Sequence, residues 1–143
     1  MNNNLIRVKF SNQLPVDAKT IREEVFVKEQ GFKDEFDTHD NIAYHAVLYY
    51  NNEAVATART FVNEDVYVIG RVAVIKSMRN NRLGMKVILA IEEKIKQLGG
   101  TKVELSAQSR VQGFYKSLGY QTLGEEFLDE GCPHVKMIKS IKL

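Results

Sequence analysis

The sequence contains no tryptophan, one cysteine and two prolines, and its 143 residues carry a net charge of only +2. The lone Cys132 excludes an internal disulfide and agrees with a reducing compartment. No apolar run approaches a membrane span, and the opening Met-Asn-Asn-Asn lacks the charged and apolar regions of a signal peptide, so a cytoplasmic location is expected. Internal repeats, low-complexity segments and linkers are also missing, which predicts one domain over 1–143. No Cys/His cluster has metal-ligand spacing and no nucleotide-triphosphate loop occurs, so no metal site is expected. The basic residues are not interleaved with aromatics, so neither nucleic acid nor a membrane is an expected partner.

What remains is an ordinary globular composition, 44% hydrophobic and 27% charged, with its charge unevenly placed. Glu23 to Asp40 holds seven acidic residues against Lys28 and Lys33, a balance of −5. Arg71 to Arg110 holds nine basic residues against three acidic ones, a balance of +6. One region is therefore suited to a cation and the other to an anion, unless both are simply solvated faces.

Leu5 to Phe10 alternates as a half-buried strand, with Ile6, Val8 and Phe10 on one side. Pro15 and Asp17 open a helix whose apolar face is Ala18, Ile21, Val25 and Phe26, ending near Gly31. Phe32 to Asn41 is polar and aperiodic, a loop with at most one helical turn. His45 to Tyr50, Val55 to Val62 and Val66 to Val74 are strand-like and separated by Asn/Asp/Glu turns, as in an antiparallel meander. A helix follows from Leu83, with Val87, Ile88, Ile91, Ile95 and Leu98 buried, Lys86, Glu92, Glu93, Lys94 and Lys96 solvated, and Gly99-Gly100 at its end. Lys102 to Ser106 is a fifth strand, Ser109 to Leu118 a short helix closed by Gly119, and Tyr120 to Gly124 and His134 to Ile141 the last strands. This order implies a mixed α/β sheet with helices on its faces.

The start of the helix at Leu83 lies directly behind a strand. Main-chain N–H groups near Arg82 to Met85 have no partner inside the helix, Gly84 lacks a Cβ, and Arg79 and Arg82 add positive charge. Read locally, this turn is equally a phosphate cradle or an ordinary solvated loop.

Arg79-Asn80-Asn81-Arg82-Leu83-Gly84 resembles the Gln/Arg-x-x-Gly-x-Gly/Ala pyrophosphate loop of the GNAT superfamily of N-acetyltransferases, with Arg82 where the family most often has its first glycine. Gln108 to Tyr120 is similar to the family's later motif, in which an Asn or Gln leaves the fifth strand and Phe114-Tyr115 precedes Leu118-Gly119-Tyr120. Val25 to Phe32 and Gly124 to Met137 further resemble a small bacterial branch of that superfamily. The resemblance covers nearly the whole chain. It implies the acetyltransferase fold, an α/β fold with a mixed, mostly antiparallel sheet of six to seven strands flanked by helices.

It also implies the activity, acetyl transfer from acetyl-coenzyme A, as co-substrate, to an amine of a small molecule or peptide. Arg79, Asn80, Asn81, Arg82, Leu83, Gly84, Met85, Gln108 and Phe114 are then cofactor-binding residues. Val72, Ala73 and Val74 join them through main-chain N–H groups if the third meander strand splays from the fifth there. Tyr115 becomes the acid that protonates the leaving thiolate; read without the resemblance it is a core aromatic beside Phe114. Glu29 and His134 are placed on the acceptor side. The general base stays open among Glu29, Glu35, Asp37, Asp40 and His134, and oligomeric state stays open between monomer and homodimer. Arg22, Phe26, Phe32, Glu35, Asp37, Asp40 and Arg59 resemble positions of the acyl-homoserine-lactone synthases, which share this fold. That gives a second reading, and a non-catalytic acetyl-coenzyme A sensor is a third.

Overall fold

The computed structural model describes residues 5–32 and 36–141. Seven strands form one sheet: β1 (Ile6–Ser11), β2 (Tyr44–Tyr50), β3 (Glu53–Asn63), β4 (Val66–Val74), β5 (Lys102–Gln108), β6 (Gln121–Asp129) and β7 (Cys132–Ser140). Their order is β1-β2-β3-β4-β5-β7-β6. Every pairing is antiparallel except β4 with β5, which is parallel and covers only Tyr67–Val103, Val68–Glu104 and Ile69–Leu105. A parallel pair needs a long crossover, and α2 (Leu83–Gln97) supplies it.

The two faces of the sheet follow from strand alternation. Ala46 and Leu48 of β2 face α2, which buries Leu83, Val87, Ile88, Ile91 and Ile95 in the larger core. Val47 of β2 and Ala73 of β4 face the other way, against Ala18, Ile21 and Val25 from α1 (Val16–Arg22) and the π-helical segment Glu23–Glu29 that continues it. A third helix, α3 (Gln112–Ser117), lies between β5 and β6 in the chain.

Helix α2 ends in a Schellman motif. Gly99 takes φ +89° and donates to Lys96 O, while Gly100 N–H reaches Ile95 O. Gly100 also sits so close to its neighbours that a Cβ there would stand 2.5 Å from Ile95 Cγ2 and 2.6 Å from the Tyr67 ring.

Several sequence expectations change. Leu98 is 36% exposed because it is the C-cap, past the buried stripe. Glu92 is buried, accepting from Tyr120 Oη at 2.7 Å and from Lys139 Nζ at 2.8 Å. In β1 only Val8 packs on the core; Ile6 and Phe10 are exposed on an edge strand that has a partner on one side only. Strands β6 and β7 run longer than the spacing suggested, to Asp129 and from Cys132, and β6 is exposed throughout as the other edge. Ile138 lies on the exposed face of β7 rather than with Val135 and Met137. No helix among the described residues is long and apolar enough to cross a membrane.

Candidate active site

The site begins with a defect in β4. Thr57 pairs with Ala73 and Arg59 with Gly70, so β4 carries one residue more than β3 across this stretch, and Arg71 turns to φ +52° to absorb it. Beyond Ile69, β4 has no further pairing with β5, while β5 continues against β7 as far as Gln108 and His134. A wedge-shaped gap therefore opens between β4 and β5. Strand β4 is bonded on one side only here, so alternate main-chain N–H and C=O groups of Gly70 to Val74 face the gap. The splay expected at Val72, Ala73 and Val74 is present.

The gap is part of a cavity of about 820 Å³. Its lining includes Val74, Leu105 and Tyr115 from the α2 side of the sheet and Ala73, Gln108 and His134 from the α1 side, so it reaches through the sheet. Arg79, Gly84 and Phe114 also line it. Asn80, Asn81, Arg82 and Met85 do not; they form the turn and first residues of α2, where they offer main chain rather than a cavity wall. Leu83 is 2% exposed and its side chain belongs to the core.

At the start of α2 the backbone is unusual. Asn80 has φ +70°, and Arg82, the N-cap, has φ +60° and ψ +23°. The family's glycine at that position thus meets a conformational need that arginine satisfies only with strain. Arg82 is exposed, and its guanidinium makes no hydrogen bond or ion pair among the described residues. Arg79 turns back instead: Nε donates to Val74 O at 3.0 Å, and its guanidinium grips Glu29 at 2.6 and 2.7 Å. A Cβ on Gly84 would lie 3.6 Å from Phe114 and 3.7 Å from Val74, so the glycine leaves a slot about one methyl deep beside the cavity.

Tyr115 is 8% exposed and edge-on to Phe114 and Tyr120, with ring centroids 5.0 and 5.9 Å away. Its hydroxyl has no hydrogen-bond partner among the described residues, and burial pushes its pKa up to about 12. The phenol therefore stays protonated more firmly than an unperturbed tyrosine would. Tyr120 donates to Glu92, which Lys139 also binds, and this buried cluster fixes the ring against which Tyr115 rests.

The acidic stretch is not free negative charge. Asp40 receives a bidentate pair from Arg22 at 2.8 and 2.9 Å and shares Arg59 with Asp37, which also meets Arg71 at 3.1 Å. Arg59's hydrogen bonds hold Asp37 well below the usual carboxylate range. Burial pushes Asp40 up, but Arg22 and Arg59 outweigh it and bring it to about 2. Glu29 is lowered by Arg79. The expectation of a cation-attracting surface along Glu23 to Asp40 thus fails for Glu29, Asp37 and Asp40, each already paired with arginine; Lys33, Asp34 and Glu35 lie outside the described residues. His45 accepts this structural role too, with Nε2 3.0 Å from Asp40 O, and burial lowers its pKa.

Sequence reading missed Gln30, which accepts from Gln108 Nε2 at 3.1 Å and ties the π-helical segment to β5. It also missed Phe61, stacked on His39 at 4.2 Å, and Arg71, whose place depends on the bulge. Phe61 lies two residues after Arg59 and shares its face, a signal that strand alternation carries. No group of three or more metal-binding side chains occurs among the described residues.

Residues 11–141 match the family model described as the Acetyltransferase (GNAT) domain. The chain is 37% identical over 126 residues to the uncharacterized N-acetyltransferase YjcF of Bacillus subtilis, covering 86% of this chain and 90% of that one. It superposes on an acyl-CoA N-acyltransferase from Pseudomonas aeruginosa with TM-score 0.82 at 26% identity, covering 96% and 99% of the two chains. Two solved chains at 15% identity share the fold: a Bacillus subtilis acetyltransferase in complex with CoA, TM-score 0.77 over 96% and 100% of the chains, and the CoA-dependent acyl-homoserine lactone synthase BjaI, TM-score 0.79 over 98% and 84%.

Proposed function

As the chain belongs to the GNAT acetyltransferase family, we propose that it transfers an acetyl group from acetyl-coenzyme A to the amine of a small molecule or peptide by direct attack. The observation that carries this reading is the gap between β4 and β5, with unpaired main chain along one wall and the unpartnered Tyr115 hydroxyl on the other side. Those groups suit an extended chain of amides ending in a thioester. The start of α2 offers main-chain N–H groups to the pyrophosphate, and Gly84 leaves room beside them. Main-chain N–H groups of β4 stabilise the carbonyl oxygen as it gains charge. Tyr115 gives its proton to the departing thiolate, and its raised pKa keeps that proton in place until the C–S bond breaks.

The acceptor side is the α1 face, where Gln108 bonds Gln30 and His134 lies opposite Gln108 in register. The arginine pairing of Glu29, Asp37 and Asp40 removes the physical ground for a preference between cationic and neutral amines. The synthase reading has fold likeness behind it, and the Arg22, Asp37, Asp40 and Arg59 constellation that suggested it is satisfied internally. The protein functions in the cytoplasm in this reading.

The test combines turnover and binding. Free coenzyme A is measured with a panel of amines, amino sugars and peptides, and acetyl-coenzyme A binding by calorimetry. Tyr115→Phe should lower kcat on the order of 10²-fold with affinity unchanged. Gly84→Asp, which sets a carboxylate against the pyrophosphate, should abolish binding. Wild-type turnover in Tyr115→Phe removes the acid; an acyl-lactone product supports the synthase, and tight binding without turnover the sensor.

A further inference from the structure

We propose that His134 is the general base of this reaction, taking the proton from the acceptor amine on the face of the sheet opposite Tyr115. This rests on the acyl-transfer reading above. Along β7, Val135 and Met137 enter the core under α2, so His134 between Pro133 and Val135 points to the α1 face. There it lies opposite Gln108 in the β5 register and stacks on Phe127, ring centroids 6.0 Å apart. The ring is 8% exposed and lines the cavity.

One hydrogen bond fixes its chemistry. His134 Nδ1 lies 2.7 Å from the main-chain oxygen of Cys132, two residues back on its own strand. A carbonyl only accepts, so Nδ1 carries the hydrogen in that bond and Nε2 of the neutral ring is left with its lone pair. Nε2 has no partner among the described residues and is not sealed from the cavity. The rival bases named from the sequence that lie among the described residues each have an occupation. Glu29, Asp37 and Asp40 are bound by arginines, which makes them poorer proton acceptors, and His45 is committed to Asp40 O. His39 is stacked on Phe61 beside Asp37.

The step balances with the groups present. The neutral amine attacks the thioester carbon and forms the N–C bond, leaving a positive nitrogen and an oxyanion. His134 Nε2 takes one proton from that nitrogen. The oxyanion collapses, the C–S bond breaks, and the thiolate receives the Tyr115 proton. The imidazolium then loses a proton and the tyrosinate regains one through solvent, so amine and thioester become amide and thiol with no net proton change. The two proton-transfer groups approach from opposite faces of the sheet, with the gap between them.

The experiment compares wild type, His134→Asn and His134→Gln by pH profiles of kcat/KM for the best amine, calorimetry with acetyl-coenzyme A, and nitrogen-15 NMR of the histidine rings. Charged groups lining the same cavity are Asp37, Arg59, Arg71, Arg79, Arg110, Asp129 and Glu130, with His39; two on nearby elements, Lys136 and Glu104, pair with each other. Both variants should lose on the order of 10²-fold in kcat, keep only the part of the acidic limb that protonation of the amine itself gives, and bind acetyl-coenzyme A as wild type does. The His134 resonances should report protonation at Nδ1 in the neutral ring. An unchanged acidic limb, wild-type kcat in either folded variant, or protonation at Nε2 overturns the proposal. Absence of turnover by the wild type with every amine instead sinks the transferase reading itself, and the base with it, while leaving the NMR result intact.

Discussion

Arg82 holds a left-handed backbone, φ +60°, that costs a residue with a Cβ roughly 1–2 kcal/mol and glycine almost nothing. Strain of this kind persists where the surroundings and the function demand it. Its exposed, unpaired guanidinium stands at the start of α2, where phosphate would bind. Arg82→Gly should therefore raise stability by up to about 1 kcal/mol, after the greater unfolded-state freedom of glycine is set against the relieved strain. It should also weaken acetyl-coenzyme A binding by roughly 1.5–3 kcal/mol, the range of a charge-assisted hydrogen bond. Thermal unfolding and calorimetry read the two effects separately; tighter binding would mean that the side chain crowds the ligand. The sequence displayed Arg82 as a departure from a motif, but its backbone angle, which explains the motif's glycine, is set by the three-dimensional path of the turn. Tyr115 was legible as a candidate because its motif is local. Its raised pKa was not, since the burial that causes it comes from rings and strands brought together by folding.

At the scale of elements, periodicity carried the helices and strands well and failed where a partner arrives from far away. Glu92 falls four residues after Ile88 and three before Ile95, on the buried stripe, and a carboxylate is tolerated there because Tyr120 and Lys139 reach it from β6 and β7's end of the sheet. Nothing within α2 announces those partners. The edge strands were misread for the complementary reason: alternation in β1 is real, yet Ile6 and Phe10 stay 39% and 36% exposed at the sheet's edge, with Lys94 of α2 reaching over the Phe10 ring. The close of α2 was readable as Gly99-Gly100, and the geometry assigns the two glycines different duties, one conformational and one steric. Gly100→Ala should clash with Ile95 and Tyr67 and lower stability by about 1–3 kcal/mol in urea unfolding. Tyr67 begins the short β4–β5 pairing, so the same variant should also lower acetyl-coenzyme A affinity. A fully wild-type unfolding midpoint would show that the Tyr67 ring simply moves aside.

Across the whole molecule, Arg22, Asp37, Asp40, Arg59 and Arg71 join α1, the connecting loop, β3 and β4 into one network. The carboxylates were counted correctly from the sequence but read as unneutralised charge, because their arginine partners lie 18 to 34 residues away. Both aspartates have folded pKa values below the ordinary aspartate value near 4, so their contribution is complete above that pH and is lost as pH falls toward about 2. Urea midpoints should accordingly be steady from pH 7 to 5 and fall below pH 4. Asp40→Asn, which takes from Arg22 and Arg59 the carboxylate charge they share, should cost about 3–5 kcal/mol at pH 7 and flatten that acid dependence. An unaltered pH profile in the variant would place the acid-labile groups elsewhere. The gap between β4 and β5 has a mechanical consequence as well. Only three register pairs seam the four-strand plate β1–β4 to the three-strand plate β5–β7. A bound thioester arm would then serve as removable rungs in an incomplete ladder, and the gap-facing amide hydrogens among Gly70 to Val74 should exchange fast in the free protein and slowly once the arm is seated, so that the sheet is finished only while its substrate is inside it.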